Sequence, residues 1–309
     1  MTGSVNRSEA TRAFARIGLL SFGGPAAQIG VMHRILVDEK KWLSEQQFLH
    51  ALNFCMLLPG PEAMQLATYA GWLLHGVRGG LIAGLLFIAP GLFMMLCVSA
   101  IYVAYGDVPL LAGLLFGLKA AVLSVVLQAL LKVSARALGS AFMVALAASA
   151  FVAIFFLQLP FPLISLGAAL VGYLALRLAP SLLPASIINQ YTVETEPVAA
   201  SSSDDAMRQT RRAIFVWGSL WALPLCAIML LAWGHFVADA AWFFSKTAAV
   251  TFGGAYAVLA YVGQQAVELY GWLTPDDMLK GLGLAETTLG PLVLVLVFVG
   301  YLGGAELSL

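Results

Sequence analysis

The stretch "FGGPAAQIGVMHRILVDEKKWL" occupies residues 22–43, and "FGGAYAVLAYVGQQAVELYGWL" occupies residues 252–273. Both are 22 residues long, open on Phe-Gly-Gly and close on Trp-Leu, 230 positions apart. At that offset no gap is needed between Phe22 and Pro61, and 11 of those 40 positions are identical. Ordinary residue frequencies would give roughly three matches. Gly23, Gly24, Trp42, Gly60 and Pro61 recur as Gly253, Gly254, Trp272, Gly290 and Pro291. Glycines and prolines punctuate backbone, so the copies share a chain path as well as a composition.

Charge separates the copies. Residues 1–45 hold six Lys/Arg: Arg7, Arg12, Arg16, Arg34, Lys40 and Lys41. The equivalent window, 231–275, holds one, Lys246. Cytoplasmic flanks of membrane helices carry an excess of Lys and Arg, and translocated flanks do not. The copies are therefore expected on opposite sides of a membrane, as inverted repeats; a parallel duplication with drifted charge is the alternative. The chain is 61% hydrophobic and 10% charged, against about 25% charged for a soluble domain. Residues 79–106, 137–176 and 213–238 are uncharged runs of 28, 40 and 26 residues. A spanning helix needs about 20 apolar residues, so the longest run holds two, turning at "QLPFP" (158–162). An all-α polytopic membrane protein is expected, with two inverted-topology repeats and broken or re-entrant helices. The opening residues lack an apolar core followed by a cleavage site, so no secretory leader is expected.

The polar stretch "NQYTVETEPVAASSSDDAMRQTRR" (189–212) reads as a flexible cytoplasmic linker. It divides a first half, 1–188, from a second, 213–309. Helical hairpins are expected over 8–39 and 44–75. Spans follow near 79–105, 109–131, 138–158 and 161–178, and another near 213–236. Position 309 is equivalent to position 79, so the second repeat is incomplete and truncation is expected. Cys55, Cys97 and Cys226 lie in apolar surroundings and read as free buried thiols.

Two motifs break the helices, "SFGGPAAQ" (21–28) and "LLPGPEAMQ" (57–65). Gly23-Gly24 lets the backbone leave helical geometry, and Pro25 suits the first position of a new helix. Pro59 ends one segment, and Pro61 starts another after Gly60. Each break exposes a helix N-terminus with free N–H donors and partial positive charge, which attracts anions; packing kinks are the alternative. Gly23, Gly24, Pro25, Gln28, Pro59, Gly60 and Pro61 are the candidate substrate-binding set. Gly253, Gly254, Gly290 and Pro291 are their counterparts.

Other polar candidates stand apart from the breaks. Lys119 is a cation in an apolar helix, functional by default in a membrane, unless it snorkels or pairs with a carboxylate. Arg34 beside His33 could hold an oxyanion, or could report topology alone. Glu62 complements the helix dipole but would repel a dianion unless protonated, making it a proton-coupling candidate. Gly80/Gly84 and Gly113/Gly117 read as helix-packing pairs. No nucleophilic triad, metal cluster or nucleotide loop is evident, so no enzyme activity, cofactor, metal or nucleic-acid partner is expected.

The strings "FGGP-x-A-x-I", "WLSEQQF" and "LLPGPEA-x-QLATYAGW" closely resemble the chromate ion transporter family, and "FGGAYAVL…WLTPDDM…GLGLAETTLGP" resembles its second-half motif. The resemblance implies a multi-pass protein of the bacterial plasma membrane, built from two homologous halves. It implies secondary active export of chromate, conferring chromate resistance. Sulfate, a dianion of similar shape, would compete or counter-exchange. A carrier of sulfate or another dianion, or a truncated non-transporting remnant, are the alternatives; a homo-oligomer is compatible. The family's second half reads Pro-Gly-Pro where this chain has Leu289-Gly290-Pro291.

Single cysteines at positions 40 and 270 should react with membrane-impermeant reagents from opposite sides. Labelling of both from one side would show parallel copies.

Overall fold

A computed structural model describes residues 5–22, 24–106, 108–157, 159, 161–179, 204–251 and 255–306. All regular structure among them is helical. The chain forms two compact units, Met1–Val125 with Trp242–Leu309, and Val126–Ala241. Both copies of the repeat fall in the first.

That unit begins with α1 (Arg7–Leu20), where the Asn6 side chain accepts from the Ser8 N–H and caps the helix. Ala10, Ala13, Phe14 and Ile17 recur every three or four residues and are buried, one face of a 3.6-residue period. After the first break come α2 (Gly24–His33) and a π-helical turn (Arg34–Glu39). α3 (Glu45–Leu57) opens on a capping box between Ser44 and Gln47, satisfying two donors reciprocally. The second break leads into α4 (Glu62–Tyr105), whose helical geometry is interrupted at His75 and Gly76. The breaks at Ser21 and at 58–61, and the ends at Glu39 and His75, match the two expected hairpin segments.

The second copy repeats this plan residue for residue. α10 (Ala255–Gly263) and a π-helical turn (Gln264–Leu269) sit 230 positions after α2 and its π-turn. α11 (Pro275–Thr287) is the counterpart of α3, and a Thr274–Asp277 capping box replaces Ser44–Gln47. Lys41 and Gly271, also equivalent, both take positive φ, 51° and 63°. The copies then diverge: α4 starts directly at Glu62, whereas a 3₁₀ turn (Leu292–Leu294) precedes α12 (Val295–Glu306).

α4 is the spine of this unit. Its limbs on either side of Gly76 (φ 60°) pack through small residues. A Cβ on Gly71 would overlap Ala83 and the Gly79 carbonyl, and one on Gly84 would press on Thr68. Pro90 cannot donate to the Leu86 carbonyl, and that carbonyl faces Gly18 of α1, where any Cβ would overlap it. One turn on, Gly91 abuts the Leu289 carbonyl of the second copy. Thus Gly79, Gly80, Ala83, Gly84 and Phe87 are buried on the first copy's side, and Gly91, Met95 and Tyr102 lie against the second.

α5 (Pro109–Ala137) and α9 (Phe236–Val250) run across both units. The second unit holds α6 (Ala141–Phe155), α7 (Phe161–Leu178) and α8 (Asp204–Leu231). The uncharged run 137–176 does contain two helices; Gln158 and Pro160 at their turn lie outside the described residues. α6 has 15 residues, about 22 Å at 1.5 Å per residue, shorter than the expected 138–158. Among the described residues, two helices are long and apolar enough to cross a membrane, Glu62–Tyr105 and Thr210–Leu231.

Three expectations are corrected. α8 starts at Asp204, so 204–212 are helical rather than flexible linker, with Arg208, Arg211 and Arg212 on α8; residues 189–203 lie outside the described residues. Of the thiols only Cys55 is buried, and Cys97 and Cys226 are exposed. Both sit on helices apolar on every face, where sequence context cannot tell a lipid-facing side from a packed one. Of the glycine pairs, Gly80 and Gly84 pack against Thr68, whereas a Cβ on Gly113 or Gly117 would meet nothing within 4 Å.

Gly84→Leu should therefore cost about 1–3 kcal/mol by overpacking, and Gly117→Leu less than ~0.5 kcal/mol. Thermal unfolding of both variants in one detergent checks this; equal losses would refute the packing assignment.

Candidate functional site

α1 ends at a serine and α9 at a threonine. The Ser21 hydroxyl donates to the Ile17 carbonyl at 2.6 Å, and the Thr251 hydroxyl to the Thr247 carbonyl at 2.5 Å. These side chains turn back into their own helices, and the Ser21 and Thr251 carbonyls project beyond them. Each takes a donor from the other copy. The Gly60 N–H donates to Thr251 O at 2.8 Å, and the Gly290 N–H to Ser21 O at 2.6 Å. Residues 21 and 251 are equivalent, as are 60 and 290, so one bond is made twice, with the copies exchanged. Gly60 and Gly290 have φ of 124° and 85°, a region L side chains rarely enter. The residue that precedes Phe-Gly-Gly in each copy thus bonds the Gly-Pro break of the other.

The helical segments that start after Pro61 and Pro291 have no side-chain cap, whereas α3 and α11, starting away from the breaks, carry complete capping boxes. The first N–H groups of a helix have no partner within it, and those after Pro61 and Pro291 gain none from a capping side chain.

Two glutamines line this crossing. Gln28, fully buried, donates from Nε2 to Gly290 O at 2.7 Å. Gln65 donates from Nε2 to Pro59 O at 2.7 Å. Both Oε1 atoms are buried without a partner among the described residues. The equivalent positions hold Val258 and Val295, so the polar amides belong to the first copy alone.

Of the residues selected from sequence, Gln28, Pro59, Gly60, Pro61, Gly290 and Pro291 belong to this crossing. Gly24, with φ 83°, and Pro25 begin α2 directly after the first break. Gly23, Gly253 and Gly254 lie outside the described residues. Glu62 opens α4 beside Pro61 and has no hydrogen-bond or ion-pair partner among the described residues. Arg34 sits apart, exposed and paired with Glu39 at 3.5 Å. His33, expected to assist it, is held by Glu45 at 2.6 Å and Asp38 at 3.4 Å. These carboxylates occupy the side chains that were to grip an oxyanion.

Lys119 is paired too. It reaches Asp276 at the exposed start of α11, and Lys280 Nζ lies 3.0 Å from the other oxygen of that carboxylate. Lys280 also donates to the Tyr102 hydroxyl at 2.8 Å, and Tyr102 donates to Asp277. Hydrogen bonds from Lys119 and Lys280 hold the Asp276 carboxyl below the usual carboxylate range. Sequence reading missed Ser21, Thr251, Gln65, Asp276 and Lys280. Ser21 and Thr251 share a hydroxyl but not an identity, so counting identities passed over them. "TPDDMLK" (274–280) carries a capping-box signature, although nothing in it points to Lys119.

Discontinuous helices whose uncapped starts converge in an apolar helical protein define a class of membrane transport proteins. Within that class, the chain belongs to the chromate transporter family, whose model matches residues 8–173 and 238–308. It is 30% identical over 302 residues to a chromate transport protein of Pseudomonas aeruginosa, covering 96% of this chain and 66% of that one. It is 27% identical over 304 residues to a probable chromate transport protein of Synechococcus elongatus, covering 94% and 68%. Identity is also 27% to a chromate transport protein of Cupriavidus metallidurans, over 94% of this chain and 66% of that one. The chain spans about two thirds of the length of these relatives. No solved structure matches it.

Gly24→Val and Gly60→Val place a branched side chain at positive φ and should weaken chromate binding at least about tenfold, ~1.4 kcal/mol. At Gly30 a Cβ meets nothing within 4 Å, and Gly30→Val should bind as the parent does. Equilibrium binding to detergent-purified protein checks this; unchanged affinity in both break variants would remove the crossing from the binding site.

Proposed function

We propose that this chain carries the oxyanion pathway of a secondary active transporter that exports chromate across the bacterial plasma membrane and so confers chromate resistance. The observation that carries the proposal is the reciprocal pairing of the broken helices, in a chain of this family. Chromate is a tetrahedral dianion, and two uncapped helix starts offer it N–H donors without a buried counter-charge. The Gln28 and Gln65 amides border the same crossing; rotation of either would add an N–H donor. The reciprocal bonds support copies related by a pseudo-two-fold axis, and the charge difference between their flanks supports an axis in the membrane plane, giving inverted repeats in a multi-pass protein. Expelling a dianion from an inside-negative cell is favoured by about 2.3 kcal/mol per charge per 100 mV, so the membrane potential can drive the step. Glu62, beside Pro61 and without a partner among the described residues, is the candidate carrier of a coupled proton.

Everted vesicles containing the chain should accumulate radiolabelled chromate when energised, and excess sulfate should compete. Accumulation of sulfate but not chromate would reassign the substrate. No flux of either, from protein shown to be folded and inserted, would overturn the transport reading.

A further inference from the structure

The ionic cluster around Asp276 joins three helices, through Tyr102 of α4, Lys119 of α5, and Asp276, Asp277 and Lys280 of α11. The fold of α11 does not require it. The same helix start is built in the first copy as α3, with Gln46, Gln47 and His50 at the positions of Asp276, Asp277 and Lys280. There the capping box closes with the neutral Gln47 side chain. In the second copy Asp277 alone completes the box with Thr274. Asp276 and the two lysines are therefore additions to a helix start that forms without them.

The geometry of the additions is that of an oxyanion clamp with a tethered occupant. Lys119 takes Oδ1 of Asp276, and Lys280 takes Oδ2. Two ammoniums thus hold two oxygens of one group, as they would hold one edge of a tetrahedral oxyanion. Exposure shows which part is displaceable. The side chains of Lys119 and Lys280 are 26% and 19% exposed, and that of Asp276 is 51% exposed. Tyr102 and Asp277 fix Lys280 further, at 2.8 and 3.5 Å. Asp276, the most exposed of the three, can swing away and leave the lysines in place. A dianion brings twice the charge of the carboxylate it replaces, so Coulomb attraction favours the exchange once the ligand arrives.

We propose that Lys119 and Lys280 form a second binding station for tetrahedral dianions, separate from the helix-break crossing, and that Asp276 occupies it as a tethered competitor in the structure described here. The station deepens the transport reading and rests on it for its biological ligand. Its occupant also ties α11 to α5, so arrival of an anion frees that tie.

Sulfate and chromate binding to the full chain in nanodiscs tests this, with thermal unfolding run alongside to confirm folding. A tethered group competes at an effective concentration in the millimolar range, so Asp276→Asn should tighten apparent sulfate affinity about tenfold or more. Lys280→Gln should weaken it. The double variant Asp276→Asn/Lys119→Met should lose the gain made by Asp276→Asn, and Asp276→Asn/Lys119→Arg should keep most of it. Unchanged affinity in folded Asp276→Asn protein would overturn the station and make the cluster a structural bridge, while chromate flux by the parent chain would still uphold the transport reading. Conversely, a parent chain that moves no chromate while Asp276→Asn binds sulfate more tightly would uphold the station and sink the transport reading.

Discussion

The structure depends on two backbone hydrogen bonds, Gly60 N–H to Thr251 O and Gly290 N–H to Ser21 O. A helix broken inside an apolar protein frees N–H and C=O groups that no water can reach, and each unpaired group costs several kcal/mol. One copy of the repeat cannot solve this alone, because its own break supplies a carbonyl at one point and a donor at another. Two copies facing one another solve it by exchange. The duplication is thus a requirement of the backbone as well as a record of descent.

That exchange dictates much of what lies around it. Gly60 and Gly290 must adopt positive φ to aim their N–H groups across, which is why Gly-Pro survives in the second copy even where Pro59 is replaced by Leu289. Backbone can reach backbone only if the helices between the copies are thin, and α4 is thin where it matters. Gly91 leaves room for the Leu289 carbonyl, and Gly18 leaves room for the carbonyl that Pro90 cannot satisfy. Cβ atoms at these positions would push the copies apart and leave the break carbonyls without their donors.

The repeat, the helical class, the positions of both breaks and the hairpin ends at Glu39 and His75 were legible because glycine, proline and charge act locally. What lay beyond reading was which break meets which. Sequence placed the two breaks of the first copy together; the hydrogen bonds formed by Gly60 and Gly290 run between copies, a long-range fact with no local signature. The pairing of Arg34 was hidden for a related reason. Its charge was visible, but Glu39, which neutralises it, becomes a neighbour only through the π-helical turn. Lys119 stood out as a cation in an apolar helix, and the carboxylate it pairs with lay 157 residues away.

The two copies share a backbone and divide the chemistry. Where the first has buried amides, Gln28 and Gln65, the second has Val258 and Val295; where the first caps a helix with neutral Gln47, the second uses Asp277 and adds Asp276 and Lys280. A symmetric scaffold with identical side chains would give a ligand two equivalent resting places and no direction. Distinct side chains on equivalent backbone make the two proposed sites, at the crossing and beside α11, unequal. The departures from the repeat, rather than the repeat itself, are therefore where directional transport would be written. Lys41 fits the same logic, since it holds a left-handed conformation that glycine adopts more cheaply at Gly271, at a strain of order 1–2 kcal/mol. Retaining a lysine there keeps a positive charge on the first copy's flank, where the charge difference between the copies is the basis for proposing that they are inverted.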